Sequence, residues 1–127
     1  MPARAALSEP RRLAALLALA LLAAGCGAQQ PQPPAAQAHR VASALTGITE
    51  ACAEHRREAA LPRFRTSSPG PRQAAHMRAT QLAHVFGENP RWIYQGQTLR
   101  ALVATTVSYL RECQLPGVAA SLQRQTR

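Results

Sequence analysis

The sequence predicts an all-α fold, a small antiparallel three-helix bundle whose first and third helices are joined by a disulfide. Three stretches between residues 38 and 127 carry apolar side chains every three or four positions, the period of a helix with one buried face. Proline and glycine separate these stretches, and short connections favour antiparallel neighbours. Two cysteines fall on the predicted buried faces, and a disulfide between them would support a core of this small size.

The first helix is predicted over residues 38–60. Its apolar positions recur at spacings of three, four and seven, and they are Val41, Leu45, Ile48, Cys52 and Ala59. The helix is expected to end before Pro62, because a proline disfavours helical backbone angles at the preceding residue. Residues 62–70 are rich in proline, serine and arginine, which predicts a mobile loop.

The second and third helices are bounded by similar signals. Pro71 suits the first turn of the second helix, and Gly87 ends that helix. Thr98 is predicted to cap the start of the third helix. The predicted buried residues are Ala75, Ala79, Leu82 and Phe86 in the second helix, and Leu99, Leu102, Val103, Thr106, Leu110 and Cys113 in the third. A strand over 103–107 is the alternative, but the apolar positions do not alternate. Residues 118–125 are expected to add only a turn or two.

The first 25 residues have the organisation of a secretory signal peptide. Arg4, Arg11 and Arg12 precede an apolar run over 13–24, which is shorter than the roughly 20 residues that a membrane span needs. Residues 22–26, Leu-Ala-Ala-Gly-Cys, resemble the lipobox of bacterial lipoproteins, although Ala23 occupies the place where that class usually has leucine. The alternative is an ordinary signal peptide in which Cys26 has no role.

The lipobox resemblance implies a processing route and a location. In that class the chain is cut before the cysteine, here Cys26, whose sulfur receives a diacylglyceryl group and whose amine usually carries a fatty acyl group such as palmitate. The domain would then stand outside the cytoplasm, anchored to the bacterial cell membrane or outer membrane. Residues 26–37 are uncharged and contain three prolines, which predicts a flexible tether to a domain over 38–127.

The other two cysteines are predicted to pair. Cys52 and Cys113 lie on buried faces of different helices, and an exported chain meets an oxidising compartment. A metal site is the alternative, with Cys52, His55 and Cys113 as ligands, but the second close pair of a structural zinc site is missing. We therefore expect no metal and no cofactor.

The sequence offers little material for catalysis. The chain contains no aspartate, and no glycine-rich phosphate loop or nucleophile elbow is present. With 127 residues it is also too short for a barrel or a complete dinucleotide-binding fold. The alternative to a non-catalytic protein is a small periplasmic or cell-surface enzyme that uses Glu54 and His55 as its polar pair.

Two surface features could bind a partner. The first is a basic run of five arginines within a chain of net charge +9, namely Arg56, Arg57, Arg63, Arg65 and Arg72. It would suit anionic lipid, an acidic envelope polymer or an acidic envelope protein. Nucleic acid is disfavoured, because the chain is expected to be exported and has few aromatic residues for base stacking.

The second feature is the segment containing Trp92 and Tyr94, residue types that often anchor interfaces. Its alternative role is to close one end of the bundle, and the basic run has the corresponding alternative of an ordinary solvated loop. The sequence as a whole predicts a membrane-anchored lipoprotein with a non-catalytic role in binding or envelope assembly.

Overall fold

The computed structural model of the chain describes residues 31–61 and 69–127. The described elements, in chain order, are α1 (Ala35–Ala59), α2 (Pro69–Glu88), β1 (Ile93–Tyr94), β2 (Gln97–Thr98), α3 (Leu99–Glu112) and α4 (Pro116–Gln125). The prediction of a helical fold is confirmed, but the predicted count of three helices is wrong. Residues 116–125 form a separate helix because Pro116 occupies its first turn and Val118, Ala119 and Leu122 are buried.

Successive helices run in opposite directions. The start of α1 lies beside the end of α2, where the Gln37 side-chain amide donates to Glu88 Oε1 over 3.2 Å. The second half of α1 is bonded to the end of α3 through Cys52 and Cys113, and α4 packs against both α2 and α3. We call the end that carries these cysteines the disulfide end, and the opposite end, with β1 and β2, the hairpin end.

The predicted buried faces form the observed core. Every core position predicted in the second and third helices is buried, as are Val41, Ile48 and Cys52 in α1. Leu45 is half-buried and packs against the core, whereas Ala59 is exposed. The buried face of α1 ends at His55, one turn before the helix does, so the prediction for Ala59 is wrong.

Two helix starts differ from their predicted positions. The helix α1 begins at Ala35, directly after Pro34, so the last three residues of the predicted tether are helical. Alanine and glutamine are good helix formers, and the contact of Gln37 with Glu88 holds this first turn against α2. The helix α2 begins at Pro69, so the last two residues of the loop predicted over 62–70 are helical, and Pro71 lies in the first turn as predicted.

A short hairpin connects α2 with α3 and was not predicted. Ile93 pairs with Thr98 and Tyr94 pairs with Gln97 in antiparallel register. Gln95 and Gly96 form the turn with φ angles of 48° and 82°, the two positive values of a type I′ turn. The hairpin leads directly into α3, where the Ala101 N–H donates to Thr98 Oγ1 over 3.1 Å, which confirms the predicted N-cap.

A glycine lets α2 approach α1 closely. A Cβ atom on Gly47 would lie 2.6 Å from Cγ of Arg78, closer than real Cβ atoms come to their neighbours. Arg78 crosses α1 at this point, and its Nη1 donates to Ser43 Oγ over 3.0 Å and to Gln81 Oε1 over 3.1 Å. The Gln81 amide then donates to the Arg40 carbonyl over 3.1 Å. The α1–α2 contact therefore includes a polar network that fits only because glycine at position 47 has no side chain.

Substitution of Gly47 by alanine should therefore destabilise the domain, although alanine is the better helix former. The ordinary gain from such a change in a helix is up to about 1 kcal/mol. Here the new methyl group displaces Arg78 and costs its hydrogen bonds, so we expect a net loss of about 1 kcal/mol in urea denaturation.

Gly87→Ala is the matched control for this prediction, because no atom lies within 4 Å of the Cβ position at that helical glycine. It should be neutral or stabilising. In an Arg78→Ala background, Gly47→Ala should become stabilising as well, since the obstructing side chain is gone. Equal stabilisation by Gly47→Ala and Gly87→Ala in the otherwise native chain would contradict the proposed role of Gly47.

Candidate functional site: a groove between α2 and α4

The two paired cysteines lie together at the disulfide end. Cys52 and Cys113 are completely buried, with their Cα atoms 5.6 Å apart and their sulfurs joined. The predicted proximity of this pair is confirmed. Cys26, the predicted lipid site, lies outside the described residues.

The predicted basic run is only partly described. Arg56 and Arg57 are exposed in the last turn of α1, and Arg72 is exposed near the start of α2. Because α1 ends and α2 begins at the disulfide end, these three arginines share one end of the domain. Arg63 and Arg65 lie outside the described residues, so their part in a binding surface stays a prediction.

Trp92 and Tyr94 lie at the opposite, hairpin end. Both side chains are half-buried and pack against the hydrophobic core. The Trp92 N–H donates to the Asn89 carbonyl, and the Trp92 carbonyl accepts from the Leu99 N–H. This packing is what the alternative role, closing the end of the bundle, requires. A binding role for the two aromatic residues stays a prediction.

Glu54 and His55, the predicted polar pair, differ in exposure. Glu54 is exposed, whereas His55 is 8% exposed and its Nδ1 has no hydrogen-bond partner among the described residues. Within residues 31–61 and 69–127, no three histidine, cysteine, aspartate or glutamate side chains are grouped closely enough to hold a metal ion.

A groove of about 710 Å³ lies between the first half of α2 and the α3–α4 connection with α4. Its lining is mainly apolar. The residues that line it are Arg72, Gln73, His76 and Met77 from α2, and Gln114, Leu115, Pro116, Gly117, Val118, Ser121 and Arg124 from the connection and α4. The groove therefore opens beside the disulfide end, where the exposed arginines of α1 and α2 also lie.

The tight connection between α3 and α4 shapes one wall of the groove. Gln114 adopts a left-handed backbone conformation with φ of 63°. Its N–H donates to the Arg111 carbonyl over 3.0 Å, and the Leu115 N–H donates to the Leu110 carbonyl over 2.9 Å. These two bonds are those of a Schellman motif, in which glycine usually takes the left-handed position. A glutamine there costs about 1 kcal/mol, and strain of this kind is concentrated at functional sites.

The groove combines an exposed apolar side chain with basic residues at its edge. Met77 is 70% exposed, a large apolar side chain on the outer face of α2. Around it lie Arg72, His76 and Arg124, all exposed, and no acidic residue is found among the described residues that line the groove. An apolar surface edged by arginine is suited to a ligand that has both an apolar part and a negative charge.

This groove was not predicted from the sequence. The basic run included Arg72 but not Arg124, because the two residues lie far apart in sequence and only the short fourth helix brings them to one site. One available signal was Met77, an apolar residue off the buried face of its helix and next to His76.

Comparisons with protein families, with curated proteins and with solved structures find no match for this chain. In the part of the chain that the structure describes, no helix is both long and apolar enough to cross a membrane. The role of the domain must therefore be inferred from its own residues.

Proposed function

We propose that the protein is a lipid-anchored, non-catalytic binding protein of the bacterial cell envelope. In this proposal Cys26 carries the lipid and becomes the first residue of the mature chain. The residues between Cys26 and the start of α1 act as a tether, and the helical domain binds its partner through the groove and the basic disulfide end.

The division of the three cysteines is the observation that carries the proposal. Cys52 and Cys113 are bonded to each other in the core, which leaves Cys26 as the one cysteine of the chain without that structural role. Cys26 directly follows an apolar run and small residues, as the lipidated cysteine of a lipobox does. The disulfide also suits an oxidising compartment outside the cytoplasm. Export and lipidation together account for all three cysteines.

The distribution of charge supports binding to an anionic partner. The mature chain of this proposal, residues 26–127, has 12 arginines and 5 glutamates and so a formal net charge of +7, and Arg56, Arg57 and Arg72 are exposed at the same end of the domain. Anionic lipid headgroups and acidic envelope polymers would be attracted to such an end over a Debye length of about 8 Å at physiological salt.

Replacement of the lipid-accepting thiol tests the anchor. When the full chain is expressed in a bacterium with an alkyne-bearing fatty acid, the native protein should be labelled and found in the membrane fraction. Cys26→Ser should lose the label and leave that fraction, because a serine hydroxyl does not take the diacylglyceryl group.

Cys113→Ser is the matched control, since it also removes one thiol but leaves Cys26 in place. This variant should keep its label, whatever its effect on stability. A native protein that is exported without any fatty acid label would overturn the proposed anchor.

A further inference from the structure

We propose that the groove between α2 and α4 binds an anionic amphiphile with a single acyl chain and a carboxylate or phosphate head. The acyl chain would lie along the apolar surface, and the head would pair with the arginines at the edge. This inference rests on the proposed function only in treating the domain as a binding module, and it does not require the lipid at Cys26.

The size and lining of the groove suit a small amphiphile. A volume of about 710 Å³ falls within the roughly 300–1,000 Å³ of ordinary small-molecule sites. Met77 from α2 and Pro116 from α4 are exposed and provide the apolar surface, and the buried Leu115 and Val118 lie beneath it. Methionine is flexible and polarizable, so it can adjust to an acyl chain that lacks a fixed shape.

The charges at the edge select the head group. Arg72 and Arg124 approach the groove from two different helices, and His76 provides a further hydrogen-bonding ring on α2. A guanidinium can make paired hydrogen bonds to a carboxylate or a phosphate. Two arginines and no acidic side chain are among the described residues that line the groove, so the local charge favours an anionic head over a cationic one.

The distribution of apolar side chains favours an amphiphile over a partner helix. A helix that docks in a groove needs a row of apolar contacts spaced over several turns. Here the apolar surface on the α4 side is concentrated in the connection and first turn of α4, and Ser121 and Arg124 follow it along the same face. A single acyl chain can use such a short surface.

Photoaffinity labelling of the full chain tests the proposal. Palmitic acid and lysophosphatidic acid, each with a diazirine in the acyl chain, supply the two anionic heads, and diazirine-bearing hexadecanol supplies a neutral one. Labelled peptides are located by mass spectrometry, so labelling of the groove is separated from labelling of the apolar run over 13–24. At least one anionic probe should label peptides that contain Met77 or residues 115–121, and hexadecanol should label them much less.

Filling the groove should abolish this labelling. Ser121 is half-buried in the groove, so Ser121→Trp should reduce labelling of groove peptides at least about tenfold. Ser108→Trp is the matched control, because Ser108 is exposed on α3 and does not line the groove. This control should label like the native chain. Circular dichroism and an intact disulfide show that both variants are folded.

Removal of the edge charges tests the head-group pairing separately. The Arg72→Gln/Arg124→Gln variant should lose about tenfold in labelling by the anionic probes and should label with hexadecanol as the native chain does. Labelling of the groove by the carboxylate probe alone identifies a fatty acid as the ligand, and labelling by the phosphate probe alone identifies a phospholipid.

The proposal is overturned if no anionic probe labels the groove, if hexadecanol labels it equally well, or if Ser121→Trp and Ser108→Trp behave alike. The same experiment on Cys26→Ser distinguishes the hypothesis of a lipid anchor at Cys26 from the hypothesis of a ligand site in the groove. Groove labelling in a chain that is never lipidated would support this inference while the anchor fails. A lipidated chain without groove labelling would support the lipid anchor at Cys26 and contradict ligand binding in the groove.

Discussion

The Cys52→Ala/Cys113→Ala variant should unfold with a free energy about 4 kcal/mol below that of the native protein. The bond joins residues 61 positions apart, and in the chain-entropy account a link of this span constrains the unfolded chain by that amount. A domain of this size has a total stability of about 5–15 kcal/mol. The melting temperature should therefore fall by at least about 15 °C.

Reductant distinguishes the bond from the packing of its two side chains. Both cysteines are completely buried, so reduction should be slow until the domain unfolds. In urea with dithiothreitol, the native sequence should shift to a lower midpoint, whereas the double alanine variant should show no shift. A double alanine variant within about 1 kcal/mol of the native protein would contradict a stabilising role for the bond.

Leu82→Ala should cost about 2–5 kcal/mol, the usual range for a buried leucine in a core. Leu82 is completely buried on α2 and belongs to the core formed by all four helices. Together with the loss of the disulfide, the cost should amount to about 6–9 kcal/mol, enough to unfold a domain at the lower end of the usual range of stability at 25 °C.

Leu61→Ala is the matched control for the core substitution. Leu61 is 52% exposed just after α1, so the same change in side chain should alter the free energy of unfolding by less than about 0.5 kcal/mol. Urea denaturation monitored by circular dichroism at 222 nm checks both variants. Similar effects at Leu61 and Leu82 would show that Leu82 is not part of a close-packed core.

The helical faces were predictable because periodicity in sequence reports directly on burial. Spacings of three and four placed Val41, Ile48 and Cys52 on one face, and the structure buries all three. The N-cap at Thr98 was predictable for a similar reason, since its side-chain bond to Ala101 is local. The cysteine pair was predictable because both residues lie on predicted buried helix faces and because an exported chain meets an oxidising compartment.

The features that were not predicted are α4, the hairpin and the groove. They depend on contacts between residues far apart in sequence or have only weak local sequence signals. The stretch that forms α4 is short, and its helix is stabilised by burying Val118 and Leu122 against helices that come earlier in the chain. The hairpin turn uses Gln95 before Gly96, whereas asparagine or aspartate would have given the strong signal for a type I′ turn. The groove needs α4 in place, so no reading of α2 alone could have combined Arg72 with Arg124.

The intact mass of the protein, purified from bacterial membranes without reductant, tests whether Cys26 is the lipidated first residue of the mature chain. The lipid-anchored account predicts a chain that begins at Cys26 and carries a diacylglyceryl group, with or without a further acyl group on its amine. Its mass should rise by two hydrogens when the Cys52–Cys113 bond is reduced after unfolding. A mature chain that begins elsewhere, or one that begins at Cys26 with no lipid mass, would contradict the account.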